Sequence, residues 1–241
     1  MLAKTRAIVL HTVRYGEKSL IVTLYTERYG RQTAILNAAR GAGSKNKAAW
    51  LQPLFLVETD TYVHNNREIQ RIKEIRLTDP YLSIPFEVRK SAQLLFLAEV
   101  LRRILLEEVP HPALFEFMEN ALLYFDIMEK GSANFHLWFL VRLTGYLGVF
   151  PQTIPEENGW FDMQTGLFVS SEPLHPGFMD RETTSLLRQF MELNIHALPG
   201  LLITARQRNL LIDKILEYLH FHFGNLQQLK SRPVLKELFN D

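Results

Sequence analysis

The sequence predicts an α+β protein in two parts, a small β-barrel of five strands followed by a domain of α-helices. Three observations indicate this class. The first eighty residues contain five short segments rich in Val, Ile, Thr and Tyr, separated by turn residues. After Asp79-Pro80 the apolar residues recur with a helical period. The charge also divides there: residues 1–80 carry 13 Lys and Arg against 7 Asp and Glu, whereas residues 81–241 carry 14 against 19.

The barrel strands are predicted from alternating apolar and polar residues and from the turns between them, such as Tyr29-Gly30. The last segment contains Ile69, Ile72 and Ile75, a spacing that also fits a helix, although we favour a strand. Five strands in about 75 residues, without a long helix, are typical of a closed or nearly closed barrel. The predicted strands are residues 6–15, 19–26, 31–40, 53–63 and 68–77.

The second part, residues 81–241, is predicted to be helical with one irregular inset. Residues 149–180 lose the helical period and contain four prolines and three glycines, although "GWFDMQTGLFVSS" within them can form a hairpin. The predicted helices are residues 86–107, one from His111-Pro112 to Lys130-Gly131, one from Asn134, then 181–195, 201–223 and a short one from Ser231. We therefore expect domains at residues 1–80 and 81–241.

Composition describes an ordinary globular chain of 241 residues, 47% of them hydrophobic. The absence of cysteine excludes disulfides, thiolate zinc sites and a cysteine nucleophile. "MLAKTRAIVL" has too short an apolar run for a signal peptide. The longest apolar stretch, "AQLLFLAEVLRRILL", is interrupted by Glu99, Arg102 and Arg103, so no membrane span is expected. We expect a soluble, cytoplasmic protein.

The sequence offers no positive case for an enzyme. His220 and His222 are two residues apart, and no HExxH motif occurs, so a metal site is not indicated. "GAGSKNK" does not match a phosphate-binding loop, because the residue immediately before the lysine is not glycine and the residue immediately after it is not Ser or Thr. No GxSxG motif is present. We expect no catalytic residue, no metal and no cofactor.

A basic loop between the third and fourth strands, "NAARGAGSKNKAAW", is the feature that points to function. It has no acidic residue, and residues 4–47 hold nine basic side chains against two acidic ones. Small barrels bind single strands with a cationic groove and exposed aromatic rings. The alternative is a solvated loop with Trp50 in the core, and Tyr25, Phe55 and Tyr62 are expected to be core residues. The candidate DNA-binding residues are Arg40, Lys45 and Lys47, followed by Arg14, Lys18, Arg28 and Arg31.

Several stretches resemble the RecO family of bacterial DNA repair and recombination mediators. "AIVLHTVRYGEKSLIVTLYTERYGR" is similar to that family's opening strands, and "NAARGAGSKNKAAWLQPLFLVE" to its basic "KGAR…LQPF" segment. "VRLTGYLG" resembles the "RLLGY" helix end, and "LKSRPVLKEL" the "LKSR" segment near the C-terminus. The resemblance extends over nearly the whole chain.

The resemblance implies an OB-fold barrel followed by a helical domain. It implies binding of single- and double-stranded DNA, annealing of complementary strands, and help in loading recombinase onto strands coated by single-strand-binding protein. It implies two partners, RecR and the acidic C-terminal tail of the coating protein, and a location in the nucleoid. The groove for that tail would be apolar with arginines at its rim. The candidate rim residues are Arg102, Arg103 and Arg142.

The chain departs from the family at residues 149–180, where many members carry a four-cysteine zinc module. Because this chain has no cysteine, we expect no zinc, and we expect packing around Trp160, Phe161, Leu167 and Phe168 in its place. Two other readings stay open beside the mediator: a general single-stranded RNA-binding barrel, and a protein adaptor whose basic loop contacts an acidic partner.

Overall fold

A computed structural model describes residues 1–17, 19–37, 49–64, 66–152 and 159–239. The chain divides into two compact units, Met1–Ile127 and Met128–Asp241. The first begins with a closed five-stranded barrel, in the order β1-β2-β3-β5-β4. This confirms the predicted α+β class and its barrel. The barrel strands are β1 Leu2–Tyr15, β2 Ser19–Thr26, β3 Gly30–Asn37, β4 Leu56–Tyr62 and β5 Ile69–Leu77.

The barrel has the strand topology of an OB fold. All neighbouring strands are antiparallel except β3 and β5, which run parallel. Alternate side chains point inward, as the two-residue period of a strand requires. Val9, Val22, Leu24, Leu36 and Ile75 are among the residues that form the buried core.

A β-bulge explains the isoleucine spacing of β5. Asp60 of β4 pairs with Glu74, but the next residue, Thr61, pairs with Ile72, so Lys73 is an extra residue. The bulge lets Ile72 and Ile75 both face the core although they are three residues apart. The segment is therefore a strand, as favoured from the sequence.

Two helices complete the first unit: α1 Val88–Ile104, which packs against β1, and α2 Pro112–Ile127. The carboxylate of Asp126 accepts hydrogen bonds from the backbone N–H groups of residues 82–84. Burial alone would raise the pKa of Asp126, but these hydrogen bonds lower it below its ordinary value. The buried Lys90 Nζ donates to Ser83 Oγ at 2.6 Å and to Asp126 O at 2.9 Å. The predicted domain boundary at residue 80 stays a prediction.

Gly30 occupies a position where only glycine fits. Its φ is +64°, and an added Cβ would lie 2.4 Å from the carbonyl oxygen of Val109. The close approach continues at the next residue, because Arg31 N donates to Glu107 O at 3.1 Å. The segment after α1 therefore covers the start of β3, which β5 leaves unpaired.

The second unit contains four helices and a small sheet. The helices are α3 Phe135–Tyr146, α4 Arg181–Glu192, α5 Ala205–Phe223 and α6 Ser231–Leu238. The sheet has the order β7-β6-β8, and its strands are β6 Trp160–Asp162, β7 Leu167–Val169 and β8 Phe178–Met179. β6 and β7 form the predicted hairpin.

Aromatic packing holds this small sheet to the helices of its unit. Phe161 and Phe168 are fully buried, with ring centroids 5.0 Å apart. Phe161 also packs edge-on against Tyr218 of α5, at 5.2 Å. The guanidinium of Arg188 lies 4.1 Å from the ring centroid of Phe168. The packing expected around these side chains is therefore present, although Trp160 and Leu167 are only half-buried.

Within the described residues, every helix is too short or too polar to cross a membrane.

Candidate nucleic-acid interface

A groove of about 650 Å³ lies on the outside of the barrel where β4 and β5 meet the end of β3. We call it the β4–β5 groove. Three cationic side chains, one aromatic ring and the apolar side chain of Ile72 are among the groups that line it. Its functional side chains are Asn37, Tyr62, His64, Arg67, Arg71 and Lys73.

The strand register explains why these side chains share one surface. Tyr62, the last residue of β4, lies directly opposite Arg71 on β5 and Leu2 on β1. Residues directly opposite in neighbouring strands point to the same face. Ile72, between the two cations, points inward and is 3% exposed. Arg71 and Lys73 are therefore exposed on the outer face.

The groove's cations are not neutralised by carboxylates in the described part of the chain. No described acidic side chain forms an ion pair with Arg67, Arg71 or Lys73. Two nearby carboxylates have other partners: Glu58 pairs with Lys4 at 2.8 Å, and Glu74 with Arg76 at 2.8 Å. The half-buried Asp60 lies on the same face of β4, directly opposite Lys4 on β1 and Glu74 on β5. Glu68 is an exposed acidic residue in the same loop. Three exposed cations thus remain available to an anionic ligand.

The loop between β4 and β5 is fixed by one buried amide. Gln70 is 8% exposed, and its Oε1 accepts from His64 N at 2.9 Å. Its Nε2 donates to His64 O at 3.0 Å and to Arg67 O at 2.7 Å. The start of the loop is also tied to β1, because Val63 N donates to Met1 O at 2.8 Å. The wall of the groove is therefore preorganised.

Arg14 and its neighbour Tyr15 point to opposite sides of the hairpin between β1 and β2. Arg14 lies opposite Leu20, which packs against the barrel core, whereas Tyr15 lies opposite Ser19. Ser19 in turn lies opposite Asn37 of β3, at the edge of the groove. The exposed ring of Tyr15, rather than Arg14, therefore lies in one cross-strand row with Ser19 and with Asn37, which lines the groove.

Arg28 and Arg31 lie at the other end of β2 and β3. The eight residues of β3 separate them from the groove by about 25 Å. The Arg31 guanidinium donates to Arg102 O at 2.7 Å and to Leu105 O at 3.0 Å, so it caps the end of α1. The exposed Arg28 donates to Lys4 O at 3.3 Å and lies over the ring of Tyr29. Their role in DNA binding stays a prediction.

The remaining four predicted DNA-binding residues lie outside the described residues. These are Lys18, Arg40, Lys45 and Lys47. Asn37, the last residue of β3 and a lining residue of the groove, immediately precedes the segment that carries three of them.

Comparison with known proteins gives the family. Two family models match, the "Recombination protein O N terminal" over residues 1–81 and the "Recombination protein O C terminal" over residues 86–233. The chain belongs to the RecO family. Three relatives, each named "DNA repair protein RecO", match over the full length of both chains. The protein from Phocaeicola vulgatus is 35% identical, that from Bacteroides fragilis 38% and that from Flavobacterium psychrophilum 32%.

RecO-family membership makes the chain a DNA repair protein, and it confirms the resemblance found in the sequence. The two family models match both parts of the chain, so the barrel and the helices belong to the same family. Among the described residues, no cluster of three or more His, Asp or Glu side chains could hold a metal ion.

Of the three candidate rim residues predicted from the sequence, two lie in the first unit and one in the second. Arg102 and Arg103 lie in the last turn of α1, where Arg103 pairs with Glu99 at 2.8 Å. Arg142 lies on α3, and its Nη2 donates to Leu193 O at 3.3 Å. The first unit also contains an apolar groove of about 300 Å³. It is lined by Pro53, Phe55, Ile84, Pro85, Leu94 and Leu95.

Sequence reasoning missed the cations of β5 and its loop, Arg67, Arg71 and Lys73. The signal was present, because residues 67–76 contain four cations, three of them in the predicted fifth strand. The expectation that Tyr62 is a core residue was wrong: it is 38% exposed, because it ends its strand on the outer face. Tyr25 is buried as expected, and Phe55 and Trp50 are partly buried.

Proposed function

We propose that this member of the RecO family is a recombination mediator that binds single- and double-stranded DNA and anneals complementary strands. With RecR it helps load recombinase onto strands coated by single-strand-binding protein. It acts by binding rather than by catalysis, on nucleoid DNA in the cytoplasm. The observation that carries this proposal is the β4–β5 groove, whose exposed cations Arg67, Arg71 and Lys73 have no carboxylate partner among the described residues.

Phosphate contacts explain how such a surface binds DNA without reading its sequence. Lys and Arg that neutralise phosphates release counterions, and this release drives binding. The groove adjoins the end of β3, and the chain continues from there into the loop of Arg40, Lys45 and Lys47. We infer that groove and loop together follow one strand, contacting about four to six phosphates, for a slope of log affinity against log salt of roughly −3 to −4.

Annealing follows from the same chemistry. Two complementary strands repel each other through their phosphates, and a cationic protein surface lowers that repulsion. Because most of these contacts go to phosphates, most base edges of a bound strand stay available for pairing. The arginines predicted outside the groove, Arg14 and Arg28, are candidates for contacts to a second strand or to duplex DNA.

Partner binding is proposed on the helices. The apolar groove beside α1 suits the apolar end of an acidic tail, because Leu95 lies on the same helix face as Arg102, seven residues and about 10 Å further along. Phe86 and Val88, which are 82% and 68% exposed, extend the apolar surface. Arg103 and Arg142 remain candidates for contacts to the tail or to RecR.

A salt titration of binding to a fluorescent single strand tests the phosphate contacts. Replacing Arg67, Arg71 and Lys73 together with Ala should flatten the slope by about 2, at roughly 0.7 per phosphate lost. Replacing Arg40, Lys45 and Lys47 should flatten it similarly. Arg76→Ala is the matched control, because Arg76 lies on the same strand but pairs with Glu58 and Glu74. An unchanged slope in both triple variants would reject the proposal.

A second measurement separates the mediator from the two other readings. Complementary oligonucleotides coated with single-strand-binding protein should anneal faster with the protein than without it, and RecR should increase the effect. A preference for RNA strands of equal length would favour the RNA-binding protein. No binding to any oligonucleotide at low salt would favour the adaptor.

A further inference from the structure

We propose that the β4–β5 groove takes one unstacked nucleotide of a single strand, with the base on the ring of Tyr62 and its phosphates on Arg71 and Lys73. This inference rests on the proposed function, because it assumes that the barrel binds a polynucleotide. It adds a residue that distinguishes a single strand from a duplex, which phosphate contacts alone do not do.

Tyr62 has the surroundings of a stacking platform. Its side chain is 38% exposed and lies on the outer face of β4, in phase with Glu58 and Asp60. In the described part of the chain, no aromatic ring packs against it. Amphipathic rings exposed in a groove are typical of sites where nucleobases stack, because every base has an aromatic face.

Two cations of β5 line the groove together with that ring. Arg71 lies directly opposite Tyr62. Lys73, the extra residue of the bulge, is two residues further along β5 and lines the groove together with Asn37 of β3. Successive phosphates of an extended strand therefore meet two cations along β5. Arg67, across the groove in the loop, supplies a third cation, and Glu68 beside it favours a position for the backbone nearer to β5.

The groove has walls that can hold a base and hydrogen-bond to its edge. Its volume of about 650 Å³ lies within the roughly 300–1,000 Å³ of small-ligand sites. His64, Asn37 and the Tyr62 hydroxyl offer donors and acceptors to a base edge. Gln70 holds the His64 side of the loop in place, so little ordering is needed on binding.

A duplex cannot use this site without breaking a pair. A base inside a duplex is stacked and paired, and extruding it costs a few kcal/mol. A single strand has already lost its pairing partner, so its bases enter the groove at little cost. Tyr62 should therefore contribute to the affinity for single strands and not to that for duplexes.

Binding of a single strand, a blunt duplex and a strand of abasic sites to wild-type protein, Tyr62→Leu and Tyr62→Phe tests this. Tyr62→Leu should weaken single-strand binding by about 5- to 100-fold and change duplex binding less than twofold. Tyr62→Phe should keep single-strand affinity within about threefold, since the ring remains. The abasic strand should bind wild-type protein and Tyr62→Leu equally. Tyr146→Leu, at a similar 37% exposure on α3, is the control for a general loss of stability.

The outcomes separate this inference from the proposed function. An equal loss for single strand and duplex, or no loss for either, overturns the nucleotide site even if the cation variants flatten the salt slope. If those variants leave the slope unchanged while Tyr62→Leu still acts on single strands alone, the base contact of Tyr62 stands, and the phosphate contacts of Arg71 and Lys73 fall together with the phosphate part of the proposed function. RNA strands of equal length, assayed beside DNA, identify which backbone the site accepts.

Discussion

Gln70 and His64 exchange two hydrogen bonds: Gln70 Oε1 accepts from His64 N at 2.9 Å, and Gln70 Nε2 donates to His64 O at 3.0 Å. The same Nε2 donates to Arg67 O at 2.7 Å. The backbone hydrogen bonds between β4 and β5 stop at Tyr62, and beyond that residue the side chain of Gln70 supplies the hydrogen bonds that hold the loop. It fixes the loop that carries two residues of the β4–β5 groove, although it does not face the groove itself.

Replacement of Gln70 should therefore weaken DNA binding without removing any DNA contact. Gln70→Leu removes three partly buried hydrogen bonds, to His64 N, His64 O and Arg67 O, at a cost of about 1–3 kcal/mol for each group that water cannot reach. We expect a lower melting temperature, and single-strand affinity reduced several-fold with an unchanged salt slope. Calorimetry and salt titration measure the two effects. The control is Gln189→Leu on the exposed face of α4. A flatter slope would instead mean that Gln70 itself contacts the strand.

The residues around Gln70 also show how far the sequence alone could lead. Composition and turn residues were enough to predict five strands and their order along the chain. The spacing of Ile69, Ile72 and Ile75 was ambiguous because a bulge and a helix both bring residues three apart to one face. Only the pairing with β4 decides between them, and pairing is a long-range property.

The sequence alone could predict a cationic surface in the first part of the chain, but not which cations form it. The surplus of cations in the first part of the chain pointed to the barrel, and the β4–β5 groove is a cationic surface there. Whether a given cation is free depends on its neighbours in three dimensions: Arg31 caps α1, whereas Arg71 has no such partner in the described structure. The expectation for Tyr62 was wrong for a different reason: the two-residue period of β4 puts it on the face of Glu58 and Asp60, which is the outer face.

The aromatic packing of the small sheet should make the second unit stable without a metal. Phe161→Ala removes a fully buried ring in contact with Phe168 and Tyr218, and such changes cost about 3–5 kcal/mol. We expect a fall in melting temperature of many degrees, whereas Leu174→Ala, at a fully exposed position, should have little effect. Addition of a chelator should leave the melting temperature of the wild-type protein unchanged. A fall with chelator would show that a metal contributes to stability.

Arg31 should act on stability rather than on DNA. Its guanidinium donates to two carbonyl oxygens at the end of α1, and hydrogen bonds to charged groups contribute about 1.5–3 kcal/mol. Arg31→Met should therefore lower the free energy of unfolding in urea by about that amount and leave the salt slope of DNA binding unchanged. Arg28→Met, which loses only one exposed hydrogen bond of 3.3 Å, is the control for stability. If Arg31→Met flattens the slope, the original assignment of Arg31 to phosphate binding is correct.

His136 should make the stability of the protein depend on pH between about 6.5 and 3. Burial on α3, with Arg208 and Arg232 nearby, lowers the pKa of its imidazole to about 3. In the unfolded chain the same group has a pKa of about 6.5. Below pH 6.5 the unfolded state therefore binds a proton that the folded state does not bind. Stability is therefore complete above pH 6.5 and falls as the pH drops, by about 1.4 kcal/mol per unit.

Urea unfolding at pH 7, 6 and 5 measures this contribution. Between pH 6.5 and 5 the free energy of unfolding should fall by about 2 kcal/mol through this group. His136→Leu should remove that part of the pH dependence, whatever its effect on stability at pH 7. His222→Leu, at an exposed position on α5, should leave the dependence as in the wild-type protein. If the variants at both positions show the wild-type slope, the buried imidazole is not the group responsible. The candidates are then carboxylates whose pKa the fold lowers, such as Asp126 and Asp162, because these also lose stability as the pH falls.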